Sequence, residues 1–341
     1  MTFDASDGLL RYVMAGCLNR DYILPVSGQP QIDVLGGNLA YAAVGLNLWG
    51  GEGGLVARVG EDFPLHWLEG FNERGFDLSG IKVLQEPVDT RRFLAHEDSL
   101  TTFHQNPVQH FADRELTYPP ELLGYRANGP ALSSRTTPLK QSIQISDIPK
   151  SYLQASAVHI CPIDYLSHML LPSVFRQGQA TTITLSPDPG YMDPSFWEEI
   201  PGLLSEITAF NTTEKEIRNL FSGRETDLWQ MAEVLAGFGT EFIVIRTTTR
   251  GYYLYDRSRG KRWVVPNYQS KVVDPTGAAD AFAGAFLKGY RTHYDPLEAA
   301  LMGSITASLV QEGSGVFYAL DVMPGLVDVR LESLRELVRE V

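Results

Sequence analysis

Residues 272–283 read VVDPTGAADAFA. Two acids, Asp274 and Asp280, bracket a run of small residues where an apolar run gives way to a helical pattern. The first turn of a helix carries unbonded amides, and these attract anions. Gly277, Ala278 and Ala279 have side chains small enough for a phosphate to approach the backbone, or for charge developing during transfer to be held there. A carboxylate among them repels an anion unless it handles a proton. Asp280, in the first helical turn, is placed to take one from an attacking hydroxyl. The same residues also suit a structural role, with the acid facing the helix dipole and the small residues packing. The motif alone divides evenly between the two.

The elements around it decide how such residues are held. RYVMAGCLN (11–19) reads as a buried strand, 22–35 as extended chain, and GGNLAYAAVGLNLWG (36–50) as a helix opened by two glycines. A strand at 53–60 and a helix at 63–75 follow, then a hairpin over 90–105 turning at Glu97-Asp98-Ser99. Residues 106–145 hold many prolines and glycines and read mostly as loop, with a helix around 119–126; so long a stretch is functional or mobile. From 146 onward strand and helix alternate: strands at 156–163, 180–187, 207–211 and 241–248, and helices at 165–178, 195–206, 213–223 and 227–239. A hairpin at 251–266 leads to a strand at 270–274 and to helices at 277–291, 296–311 and 326–340. Alternation of this kind implies a parallel sheet covered on both faces, in one domain with an appended β element. Ligands of such sheets sit at the carboxyl ends of the strands, which is where the Asp274 loop falls.

Composition narrows the function. The 341 residues carry a formal charge of −13 and 44% apolar residues, enough for a sizeable core. No basic run reaches five residues, so nucleic acid is a poor partner. No apolar stretch is long enough to span a membrane, and MTFDASDGLLRYVMAG lacks the pattern of a signal peptide, so a reducing, cytoplasmic setting is expected. The two cysteines, Cys17 and Cys161, read as buried free thiols, and the seven histidines show no zinc spacing. The loop SPDPGYMDP (186–194) either borders a cleft or is plain loop. Of Arg91 and Arg92, neighbours in a strand, only one can face a site.

Four motifs in order carry a resemblance. Asp274-Pro275-Thr276-Gly277-Ala278-Ala279-Asp280 resembles the second signature, D-T-x-G-A-G-D, of the ribokinase-like (PfkB) carbohydrate kinases. GGNLAYAAVGLNLWG resembles the first signature, GCLNRDYI (16–23) the end of the family's first strand, and FNTTEKE (210–216) its N-x-x-E motif. The resemblance runs from about residue 11 to 340. It implies a three-layer α/β/α sandwich with a mostly parallel central sheet. A small β lid would come from about 22–35 and 88–106, with 106–145 as an insertion in a single domain spanning 1–341.

The implied reaction is transfer of the γ-phosphoryl group of ATP to a hydroxyl of a sugar or nucleoside-like molecule. Asp280 would be the base, with Gly277, Ala278 and Ala279 in the anion hole. Asn19 and Asp21 would hold acceptor hydroxyls beside Gly36, Gly37 and Asn38, and Arg92 would reach an anionic acceptor. Asn211 and Glu214 would lie near the phosphates and their Mg2+, with Arg246, Thr248 and Gly251 along the nucleotide. The resemblance adds a monovalent cation, K+, near the Asp274 loop, and the open edges of a β lid suit a homodimer contact.

Departures point the other way. Ala279 stands where the family has glycine, which is costly if the position needs a positive φ. Thr248 replaces a loop glycine, Tyr41 replaces a sugar-contacting asparagine and implies a partly aromatic pocket, and 106–145 is long. These departures define the alternative, a sugar- or nucleotide-binding protein of the same fold with impaired catalysis.

Overall fold

The computed structural model describes residues 11–127 and 132–341. Much of the stretch read for a targeting signal falls on 1–10, and part of the long loop on 128–131; both lie outside the described residues. The first half contains β1 (Tyr12–Ala15), β2 (Asn19–Leu24), β3 (Gln31–Gly36), α1 (Asn38–Asn47), β4 (Gly53–Val59), α2 (Glu69–Asn72) and β5 (Asp77–Val83). It continues with β6 (Arg91–His96), β7 (Thr102–Phe103) and α3 (Pro107–Asp113). The second half alternates β8 (Ala157–Ile160), α4 (Tyr165–Gln177), β9 (Thr182–Leu185), α5 (Ile200–Leu204), β10 (Ala209–Thr213), α6 (Glu214–Phe221), α7 (Leu228–Gly237) and β11 (Phe242–Arg246). It closes with β12 (Tyr252–Asp256), β13 (Lys261–Val265), α8 (Ala278–His293), α9 (Pro296–Val310), α10 (Leu326–Arg335) and β14 (Arg339–Glu340).

Ten strands form the central sheet in the order β14-β13-β12-β11-β10-β9-β8-β1-β4-β5. The pairs from β11 across to β5 are parallel, and β12, β13 and β14 extend the sheet antiparallel. Each inner strand sends alternate residues to opposite faces. Tyr12 and Met14 enter the core beneath α1, α8 and α9, while Val13 and Ala15 enter the core beneath α4 to α7. A strand buried on both faces has no polar alternation, which is why YVMA reads as a continuous apolar run.

Several elements differ from the sequence reading. The strand expected at 270–274 is irregular chain, tied by the Val273 amide to the Gln311 carbonyl. β5 and β14 went unread, and the last helix stops at Arg335. The 63–75 helix is a 3-10 turn followed by the short α2, and 195–206 is a 3-10 turn followed by α5. In the long stretch the helix is α3, not 119–126, where one 3-10 turn forms at Pro120–Leu122. Pro107 opens α3 at a position where its missing N–H costs nothing, so the residue taken as a breaker is a start signal.

A second sheet, β3-β2-β6-β7, stands apart from the first. One face carries Asp21, Arg92 and His96. The other carries Tyr22, Leu24, Phe93 and Ala95, covered by Phe111 of α3 and by Leu122. This chain therefore covers the Phe93 side of its own lid sheet with α3 and Leu122.

The sandwich closes on a backbone contact between α1 and α8. A Cβ on Gly45 would stand 2.0 Å from the Ala281 carbonyl oxygen, and one on Gly284 would stand 1.9 Å from that of Ala42. Gly284→Ala therefore has to push the helices apart and should lower stability by about 2 kcal/mol or more in thermal unfolding. Gly237→Ala, at the end of α7 with nothing within 4 Å of the added carbon, should instead raise it by about 0.5–1 kcal/mol.

Candidate active site

The turn after β1 is built around one carboxylate. Asp21 is wholly buried. A Cβ on Gly36 would lie 1.9 Å from its Oδ2, so only glycine leaves it room. Gly37, at φ 101, passes so near the Cys17 carbonyl that a Cβ would stand 2.3 Å away. The Gly-Gly pair thus shapes the Asp21 site from beneath. Asn38 does related work. Its Oδ1 accepts from the Cys17 amide at 2.8 Å and its Nδ2 donates to the Pro162 carbonyl at 2.6 Å, which engages both ends of the side chain in joining the ends of β1 and β8. Asn19 opens β2 opposite Gly36, half-buried. Cys161 is buried as expected, but Cys17 is only half-buried; both are free thiols.

The strand β6 answers which arginine faces inward. Arg92 forks onto Asp21, with Nε at 3.0 Å from Oδ1 and Nη2 at 2.6 Å from Oδ2. Arg91 turns outward to Asp89 and to the carbonyls of Glu121 and Leu123. Burial pushes the Asp21 carboxyl up, and the Arg92 charge pulls it back.

On the opposite wall, Gly277 caps α8 in the left-handed region at φ 76. Its Cα rests on the ring of Tyr41, where a Cβ would come within 2.0 Å of Cγ. Tyr41 is therefore buried under the loop rather than lining an aromatic pocket, and Gly277 cannot be replaced. The Ala278 amide turns back to the Pro275 carbonyl, and the helical ladder begins with Ala281 N–H on the Gly277 carbonyl. The first-turn amides of Ala279 and Asp280 are the open donors of the helix start. Ala279 is not among the described residues with positive φ; it sits inside α8. The position does not need glycine, and the strain anticipated for Ala279 is absent. Asp280 occupies the first turn with one side open to the cleft. Desolvation raises its pKa to about 6, while Arg92 and Arg246 hold it down and Glu216 and Asp21 push it up.

Along the ends of β10 and β11, Asn211 is buried and neither its Nδ2 nor its Oδ1 has a hydrogen-bond partner among the described residues. Glu214, first in α6, bonds Arg218 at 2.9 Å and Arg250 at 3.0 Å. Burial opposes its ionisation, but these two arginines outweigh it and lower its pKa. Arg246 ends β11, exposed. Thr248 is exposed in the loop beyond, and Gly251, at φ 88, is buried against the Val265 carbonyl.

Asp274 is buried, with Oδ1 accepting from the Thr276 amide at 3.0 Å and Oδ2 unpartnered among the described residues. Three further groups are placed by the structure, and of these Glu216 and His96 escaped the sequence reading. Glu216, in a capping box with Thr213, adds charge beside Asp280. Asp188, in the loop 186–194, is pushed up to about 6 by burial and accepts from the Gly190 amide at 2.7 Å. His96 reaches Thr276 from the lid at 2.8 Å. The capping box was legible as a Thr-x-x-Glu pattern; His96 carried no local signal.

A parallel sheet with a helix start and a carboxylate at its carboxyl edge, faced by a lid, defines a ribokinase-like α/β enzyme. A profile of the pfkB family carbohydrate kinases matches residues 134–322, more than half of the chain, and the chain belongs to that family. It is a kinase of the carbohydrate or nucleoside type. It is 27% identical over 289 residues to a cytidine kinase of Thermococcus kodakarensis, covering 83% of this chain and 89% of that protein.

Two solved structures share the fold. One, described as ribokinase II from Escherichia coli in complex with ATP and Mg2+, superposes with a TM-score of 0.68 at 15% identity, covering 96% of this chain and 100% of the other. The other, a Vibrio cholerae fructokinase double mutant with fructose, ADP and potassium bound, also gives 0.68, at 16% identity over 96% and 99%. No described helix is long and apolar enough to cross a membrane.

Two predictions follow from this geometry. Ala279→Gly introduces a flexible residue into a helix that does not need one, so it should lower stability by about 0.5–1 kcal/mol and leave turnover no faster, measured by thermal unfolding and by initial rates. Asp280 has a folded pKa near 6, above its unfolded value of 3.8. Its contribution to stability is present below the unfolded value and is lost as pH rises through the folded one. Asp280→Asn should therefore raise stability at pH 7.5 by roughly 1–2 kcal/mol, with the gain shrinking below pH 5.

Proposed function

We propose that the protein transfers the γ-phosphoryl group of ATP to a hydroxyl of a neutral acceptor, a nucleoside or a sugar, with Asp280 as general base. The observation that carries this reading is Asp280 itself: a desolvated carboxyl in the first turn of α8, titrating near pH 6, beside open amides and between two arginines. A base needs a pKa near the working pH, and burial supplies that here. The amides after Gly277 would hold the charge of the moving phosphoryl group, and Arg246 would add to them.

Asp21 supports the acceptor site. Its carboxylate is held rigid by Gly36, Gly37 and Arg92, and so is set to accept from a pair of hydroxyls. Because Arg92 is forked onto Asp21, its charge is already matched, and an additional acceptor phosphate would find no free partner there. This favours a neutral acceptor over the anionic one that Arg92 first suggested. The likeness to a cytidine kinase supports testing nucleosides first.

Nucleotide and metal use have support from the ATP and Mg2+ complex of a fold relative and from local chemistry. The unpartnered amide of Asn211 fits a hydrated Mg2+ and phosphate cluster, with Glu214 beside it. The unpartnered, buried Oδ2 of Asp274 fits a monovalent cation, and a fold relative was solved with potassium bound. Bound Mg2+ would neutralise phosphate charge; the residues of the chain orient the acceptor hydroxyl, accept its proton at Asp280 and exclude water beneath the lid.

The test is ADP release from ATP and Mg2+ over a panel of nucleosides, sugars and sugar phosphates. Turnover is expected on a nucleoside or free sugar, falling at least a hundredfold in Asp280→Asn, with sugar phosphates inert. The rate should rise with pH through about 6 as Asp280 loses its proton. Saturable ligand binding without acceptor-dependent ADP release would overturn the reading in favour of a binding protein.

A further inference from the structure

His96 stands at the end of β6, on the same face as Arg92, and its side chain is buried. Both ring nitrogens are engaged: Nδ1 with Thr102 Oγ1 of β7 at 2.9 Å, and Nε2 with Thr276 Oγ1 at 2.8 Å. Thr276 immediately precedes Gly277, and its own amide is held by Asp274. The lid touches the same loop a second time through backbone. The amides of Val26 and Ser27, beyond β2, both point to the Val273 carbonyl, at 2.9 and 3.4 Å. Arg114, just after α3, joins the two lid contacts by donating to the carbonyls of Pro25 at 2.7 Å and His96 at 2.6 Å. The lid tips and residues 273–276 thus form one hydrogen-bonded unit, and the next residue is the first of the anion cradle.

We infer that His96 is a positioning residue that couples the lid to the anion cradle through Thr276. A lid that rises must break the His96–Thr276 bond, so that Nε2 and the Thr276 hydroxyl lose each other as partners while Nδ1 keeps Thr102. The loop before Gly277 then loses its outer support, and the first-turn amides of α8 lose their fixed aim. Lid closure over the acceptor and assembly of the cradle become a single event, and a site open to water is a site without its full anion hole. His96 touches no reacting atom in this arrangement; it acts through Thr276.

The consequence for turnover rests on the kinase reading above, whereas the coupling itself does not, and the experiment separates them. Hydrogen exchange is measured on the full chain for wild type, His96→Ala and Thr276→Val. Coupling predicts reciprocal effects: Thr276→Val speeds exchange in the lid peptide 91–103, and His96→Ala speeds exchange in 273–281. Initial rates with ATP, Mg2+ and the best acceptor of the panel should fall about tenfold in each variant, with the KM for ATP within twofold. The double variant should be no slower than either single one, and Thr276→Ser should restore the rate. Exchange that changes only around the substituted residue would overturn the coupling. Reciprocal exchange with unchanged rates, or fully multiplicative losses in the double variant, would overturn the positioning role. Wild type inert on every acceptor would count against the kinase reading, and the reciprocal exchange would then decide the coupling by itself.

Discussion

Two helices from opposite ends of the chain meet backbone to backbone at Gly45 and Gly284, and the site depends on that contact. With side chains removed at the crossing, α1 and α8 pack closely enough that their N-termini reach the same edge of the sheet. Gly37 begins one and Gly277 caps the other. One turn above the crossing, Tyr41 of α1 lies under Gly277. Asp21, packed against Gly36 and Gly37, and Asp280, in the first turn of α8, are therefore positioned by one rigid pair of helices. A Cβ at any of these glycines would meet carbonyl oxygen, carboxylate or ring, none of which can yield without moving a helix or strand.

Charge in the cleft follows from the same arrangement. Two acids, Asp21 and Asp280, share it with Arg92 and Arg246, and the two carboxylates are treated differently. Asp21 is paired in a fork and fixed. Asp280 feels both arginines without a hydrogen bond to either, so desolvation wins and its pKa rises to near 6. In the proposed reaction the first carboxylate holds the acceptor and the second takes its proton. Glu216, fixed by its capping box, adds negative charge that helps raise the Asp280 pKa.

The lid is more than a flap. Its inner face supplies Arg92 and His96, and its outer face is covered by α3 and Leu122 from the long stretch after β7. The insertion thus gives a four-stranded sheet the second layer it needs to persist in one chain. From there the chain continues to the body, where the Ser133 amide bonds the Gly190 carbonyl at 2.8 Å, beside Asp188. Arg135 packs over the ring of Phe196 at 3.7 Å. Residues that looked like an unstructured connection contact both walls of the cleft.

Much was determined by local pattern alone. The alternation of apolar strands and amphipathic helices implied the parallel sandwich, because burial on both faces leaves that imprint in any sequence. The spacing Asp274 to Asp280 marked the edge of the sheet where chemistry would gather, because helix starts restrict residue type within a few positions, and the resemblance added the Gly36-Gly37 and Asn211-Glu214 pairs to it. Tertiary structure decided everything that depends on residues distant in the chain. Arg92, which the sequence offers to an anionic acceptor, is paired with Asp21, 71 residues away. Ala279 looked strained until its backbone proved helical. His96 had no signal at all, since its partner Thr276 lies 180 residues on and either residue alone is an ordinary buried polar group. Strands β5 and β14 form through pairing with β4 and β13, and Pro107 starts a helix because the lid offers a face to cover. Short-range sterics are written into neighbouring residues; charge matching, strain and coupling between sites arise only when distant segments share one low-dielectric volume.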